Sequence, residues 1–310
     1  MTADRIADTI DLIKKGFVDP GIDELKIFKL VYEMFCDVET VVDATGIYQN
    51  LDAMTQSFDP YEKYSCIAPP WEAAIIGFIN RHGNVLLIEL STHLNDGRSI
   101  IKQIQEVWKT DNPLNWNEVK WITLGYVWMG GRSTTRNAFI KPIGPCHIIQ
   151  FAIAEDGRPL DIHWVQIRSD IPKEVWDTSE HVVLQSLNFM NCRNVELAEP
   201  KRSRPQRRRI ERTGLRINEI NVRPIRKSYG PREKGSSDSS VPAHSVRGHF
   251  AHYGPQWGTG KLFGKLEGRF YIPQHARGSR EHGEVQHRYK LRPGGLNEQS
   301  TIERSTGEEG

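Results

Sequence analysis

Apolar residues recur at helical spacing in the first part of the chain and alternate in its middle. Ile6, Ile10, Leu12 and Ile13 mark a short helix near the N-terminus. A second helix is clearer. Ile22, Leu25, Phe28, Leu30, Val31, Met34 and Phe35 form a broad apolar face after the Asp19-Pro20-Gly21 break, and such a face predicts core packing. From Cys66 the period changes. Residues 73–79 and 85–90 flank Asn80-Arg81-His82-Gly83-Asn84 and predict a hairpin. Residues 99–108 predict a helix with Ile100, Ile101, Ile104 and Val107 inward. Strands are expected over 119–127, 146–154 and 160–167. The last two bracket Glu155-Asp156-Gly157-Arg158, and Asp-Gly between alternating runs favours a tight turn. A helix over 177–191, capped by Asp177 or Thr178, and a strand over 194–197 follow.

Beyond residue 198 the pattern changes character. Pro200 and Pro205 punctuate the arginine-dense run from Lys201 to Arg209, which predicts a solvated strap. Ile217, Ile220, Val222 and Ile225 then predict a strand interleaved with Arg216, Arg223 and Arg226. Gly- and Ser-rich residues 229–242 predict a flexible loop. Three short alternating segments separated by glycines, 245–250, 268–272 and 284–291, predict a small β-module. The fold class expected is α+β: a helical N-terminal part (1–65), a mixed α+β domain around a central antiparallel sheet (66–199), a basic strap and flexible loop (200–243), a C-terminal β-module (244–292) and a disordered tail (293–310).

Charge sharpens this division. The net charge of +2 hides 18 Lys and Arg against 28 Asp and Glu in residues 1–200, and 13 against 3 in residues 201–234. An acidic body followed by a basic strap points to a polyanionic partner, or to the strap lying back on its own body. The four cysteines, Cys36, Cys66, Cys146 and Cys192, form no CxxC pair, which favours a reducing compartment over a disulfide framework. No apolar run reaches membrane length and no signal pattern opens the chain, so a cytoplasmic protein with no membrane partner is expected.

The chemistry-bearing residues concentrate at the basic run and in the C-terminal module. Arg202, Arg204, Arg207, Arg208 and Arg209 are candidates for sequence-independent attraction to nucleic acid, RNA above all. Arg247, Arg269 and Arg277 are candidate phosphate forks, and Tyr253, Tyr271 and Tyr289 candidate stacking platforms. A β-module in which these groups only bond loops and pack is the alternative. A metal-independent ribonuclease is an enzymatic alternative, with His249 and His275 as proton carriers beside Arg247, Arg277 and Tyr271. A protein-only interaction module is a third. His244, His249 and His252 lie close in sequence, but no Cys pair or acidic ligand joins them, so neither metal nor cofactor is expected. Gly130-Gly131-Arg132-Ser133-Thr134-Thr135-Arg136 lacks P-loop spacing and reads as an ordinary loop, and no paired-carboxylate motif stands out.

Arg247-Gly248-His249-Phe250, then Phe263-Gly264, then Gly268-Arg269-Phe270-Tyr271-Ile272-Pro273 with Arg277-Gly278, resembles the C-terminal signature of a family of phage and mobile-element proteins. That family takes in a type V-A anti-CRISPR which blocks production of the Cas effector. The resemblance extends upstream through residues 184–197, with Ser-Leu-Asn-Phe-Met-Asn-Cys-Arg-Asn-Val. It implies a protein that engages a macromolecular target, RNA or a translating complex with its nascent chain, and lowers synthesis of a host factor.

Overall fold

A mixed eight-stranded sheet organises the computed structural model, which describes residues 2–16, 26–49, 66–96, 114–132, 139–166, 173–223, 242–246, 248–272, 275–277 and 279–285. Its strands in chain order are β1 (Thr40–Asp43), β2 (Ala73–Ile79), β3 (Val85–Leu94), β4 (Val119–Arg132), β5 (Phe139–Ala154), β6 (Pro159–Gln166), β7 (Val195–Ala198) and β8 (Arg216–Val222). They lie in the order β6-β5-β4-β3-β2-β1-β8-β7. The alternating runs build the antiparallel meander β2 to β6, and Gly157 turns the β5–β6 hairpin at φ +83°.

β1 is the departure from expectation, because a wholly helical segment was predicted over 1–65. It pairs in parallel with β2 through Val41 and Ile75, and with β8 through Val41 and Ile217. That makes the sheet mixed. Four residues are too few for alternation to show, and a strand buried on both faces reads as a plain apolar run.

Helices cover both faces. On one, Ile6, Ile10 and Ile13 of α1 (Thr2–Lys14) and Phe35 of α2 (Lys26–Asp37) pack on Val41, Ile75, Leu87 and Trp128. The Phe35 and Trp128 rings lie 4.8 Å apart. The other face carries the short α3 (Thr45–Gln49) and the long α4 (Lys173–Met190), whose Val183, Leu184 and Leu187 meet Val42, Ile76, Phe78 and Phe151. This α+β, three-layer arrangement buries an apolar core on each side of the sheet. α4 begins four residues before the predicted cap at Asp177, and β4 runs on through Gly130, Gly131 and Arg132, which were read as loop. The helix expected over 99–108, residues 229–241 of the loop expected over 229–242, and the tail over 293–310 lie outside the described residues.

α1 approaches the sheet closely over two glycines. A Cβ at Gly77 would meet Ile6 Cγ2 at 3.0 Å, and one at Gly130 would meet Thr9 Cγ2 at 2.6 Å. Gly130→Ala is expected to destabilise the protein by about 1–3 kcal/mol through overpacking. Thr9→Ser removes the offending methyl but keeps the hydroxyl that donates to the Arg5 carbonyl, so the double variant should recover most of the loss in urea-unfolding midpoints.

The chain divides into two compact units, Met1–Arg223 with Ala251–Tyr271, and Pro224–Phe250 with Ile272–Gly310. The single C-terminal module expected over 244–292 is therefore split. β10 (His249–Tyr253) and β11 (Gly268–Ile272) form a two-stranded sheet. In the second unit β9 (Pro242–Val246) runs antiparallel to β12 (His275–Arg277) and parallel to β13 (Ser279–Val285). No helix among the described residues is long and apolar enough to cross a membrane.

Candidate nucleic-acid interface

Residues 204–211 are helical, which corrects the reading of a solvated strap. Pro205 sits in the first turn of α5 (Arg204–Glu211), where its missing N–H is no loss. Ser203 precedes the helix, and its backbone N–H and hydroxyl donate to Gln206 Oε1 at 3.0 and 2.9 Å. Ile210, 2% exposed, anchors the helix in the core beside α1. Like charge along the run is tolerated because one apolar residue, Ser203 and two acidic partners on α1 hold the helix from one side.

Those partners are Asp4 and Asp8. Gln206 Nε2 donates to Asp4 Oδ2 at 2.9 Å, and Arg209 Nη2 pairs with Asp8 Oδ1 at 2.6 Å. Burial raises the Asp8 pKa, with Arg209 pulling the other way. Arg202 is half-buried and donates to the Ile217 carbonyl at 2.9 Å. The acidic body therefore engages two of the five predicted arginines, Arg202 through a backbone oxygen and Arg209 through an ion pair.

Arg204, Arg207 and Arg208 stay exposed, and no ion pair reaches them among the described residues. Arg212, absent from the predicted set, joins them. Arg204, Arg208 and Arg212 recur every fourth residue, so they stack along one side of the helix about 6 Å apart. With Pro205 and Arg209 they line a shallow groove. The four-residue spacing was visible in the sequence and becomes meaningful once the segment is known to be helical. Glu211 is the helix's own carboxylate.

The C-terminal candidates follow a different logic. Arg269 is 5% exposed, so its guanidinium faces inward and the expectation of a surface phosphate fork does not hold for it. Its Nη2 donates to Asn188 Oδ1. The thiols of Cys66 and Cys192 also face the guanidinium, and burial pushes both pKa values up, that of Cys192 to about 12. His252, beside the same guanidinium, is lowered to about 4, by burial first and by Arg269 second. Tyr271 is half-buried, its ring 4.5 Å from Phe189, and Tyr253 lies edge-on to Phe270 at 6.1 Å. These two rings are engaged in packing, which removes them as open stacking platforms.

β11 is bound to the segment after α4. The Arg193 N–H donates to the Arg269 carbonyl at 2.9 Å. Asn194 clasps the Tyr271 backbone, donating to its carbonyl at 2.8 Å and accepting its N–H at 3.0 Å. Gly268, at φ +111°, lies where a Cβ would meet Arg193 Cδ at 2.6 Å. Residues 188–194 and 268–271 are thus partners in space, held by backbone and side-chain hydrogen bonds.

Of the candidate catalytic set, the described side chains are His249, exposed on β10, and Tyr271, half-buried on the neighbouring strand β11. His275 and Arg277 are placed as backbone in β12, while Arg247 and Tyr289 lie outside the described residues. Among the described residues no three His, Cys, Asp or Glu side chains converge as a metal site would need. No family model, curated protein or solved structure matches the chain.

Proposed function

We propose that the protein binds a polyanionic partner, with RNA favoured, through the outward arginines of α5. The observation that carries this reading is the file of Arg204, Arg208 and Arg212, flanked by Arg207, held outward on a helix whose inner side is fixed by Ile210, Gln206 and Arg209. A rigid cationic edge meets phosphates with little ordering cost, and guanidinium forks suit phosphate oxygens. With Tyr253 and Tyr271 packed inward, recognition would run through the backbone of the nucleic acid and carry little base specificity. The preference for RNA, the setting in the cytoplasm of a host cell, and the outcome of lowered synthesis of a host factor rest on the resemblance to the mobile-element family.

The test is RNA binding across a salt series. Replacing Arg204, Arg207, Arg208 and Arg212 by glutamine should leave thermal stability unchanged, since all four are exposed. It should weaken RNA binding and flatten the dependence of log K on log salt by about 3–4 units if each arginine meets one phosphate, as about 0.7–0.9 counterions are released per phosphate contacted. An unchanged slope removes α5 from the interface. Affinity purification with and without nuclease separates this reading from a protein-only partner, which nuclease would leave in place.

A further inference from the structure

A pair of carboxylates lies where β1 ends. Asp43 is the last residue of β1, and Glu219 of β8 is its register partner. Two carboxylates therefore stand on parallel neighbouring strands, whose backbones are about 5 Å apart. Asp43 is 8% exposed. Its Oδ1 accepts the Thr45 N–H at 3.0 Å, and no hydrogen bond reaches Oδ2 among the described residues. Both carboxylates line a cleft of about 410 Å³, within the range of small-ligand sites. Ile220 and Val222 on β8 and the packed rings of Phe189 and Tyr271 supply its apolar part, beside the polar Thr45 and Gln49. Burial and the neighbouring Asp43 raise the Glu219 pKa, with Arg202 opposing them, so the carboxylates gain from a cation between them.

We infer that this cleft binds a small organic cation, an ammonium or guanidinium on a short apolar stem. The carboxylates take the charged head in charge-assisted hydrogen bonds. The aliphatic wall takes the stem. A hydrated divalent ion suits the site poorly, because such ions demand oxygen ligands or retained water on every side. This site is independent of the arginine face of α5, and either can fail without the other.

Calorimetry and ligand-observed saturation-transfer NMR on the full chain test it, with agmatine and n-butylammonium as probes and n-butanol as the neutral control. Both cations should bind with one-to-one stoichiometry, and butanol should not. Asp43→Asn with Glu219→Gln should weaken agmatine about tenfold or more, the scale of losing hydrogen bonds to a charged group. Gly46→Leu tests the cleft with both carboxylates intact. Gly46 lines the cleft, and a Cβ there meets nothing within 4 Å, so this variant should fold normally and exclude the probe. Absence of binding to the native chain at millimolar probe overturns the inference. So does unchanged affinity in a folded Gly46→Leu variant, or displacement of agmatine by equimolar magnesium.

Discussion

Replacing Glu89 by glutamine is expected to stabilise the protein by several kcal/mol at pH 8 and above. Glu89 is 1% exposed, in mid-sheet between Ile75 of β2 and Tyr126 of β4. Burial pushes its pKa up from 4.5 to about 8, against a smaller opposing pull from the Trp128 indole. The folded chain holds this proton and the unfolded chain releases it above 4.5. Its contribution to stability is therefore complete below pH 4.5, falls as pH rises, and levels off above 8. At about 1.4 kcal/mol per unit, the deficit reaches at most about 5 kcal/mol. Glutamine has the same shape and no charge, so the variant should lose this slope.

His147 and His252 act on the other flank. Burial lowers both to about 4, so the unfolded chain gains protons below 6.5 that the folded chain refuses. Their contribution is complete above pH 6.5 and is lost as pH falls toward 4. Between 4.5 and 6.5 two imidazoles outweigh one carboxyl, so native stability should peak near pH 6.5. Urea unfolding from pH 4 to 9 checks this. In Glu89→Gln the decline above 6.5 should flatten while the acid limb persists; an unchanged alkaline limb would show that Glu89 is not its source.

Asn188→Ala is expected to cost about 3–5 kcal/mol, the range for removing one partner of a buried charged group. Asn188 is fully buried. Its Oδ1 accepts from the Cys66 N–H at 3.1 Å and from the Arg269 guanidinium, and its Nδ2 donates to the Leu184 carbonyl at 3.0 Å. Alanine deprives a buried cation of an acceptor and orphans a backbone N–H. Asn188→Asp keeps the acceptors and faces the guanidinium with an anion, so it should be milder. Arg269→Met removes the charge and keeps bulk. Combined with Asn188→Ala it should cost clearly less than the two single losses together. Additive urea midpoints would mean that the pair does not act as a unit.

The sequence made the meander legible because its strands are longer apolar or alternating runs bounded by turn residues, and Asp156-Gly157 announces one of its turns. It also made the α1 face legible through Ile6, Ile10 and Ile13, and it placed Phe35 of α2 in the core. It did not reveal β1, whose four residues are buried on both sides, or α5, where crowded arginines outweighed the quieter cues of Ser203, Pro205, Gln206 and Ile210. The candidate interface was half visible. The arginines were named correctly as a cationic run, but their sorting into engaged and outward groups depends on Asp4 and Asp8, some two hundred residues earlier.

Composition and periodicity, which are local properties, determined the α+β class, the hairpins and the place where positive charge gathers. Only the folded chain decided which charges meet solvent, because burial depends on partners distant in sequence. Arg269 and Arg208 are the same residue type. One is drawn inside by Asn188, and the other is turned outward by Ile210 two positions further on.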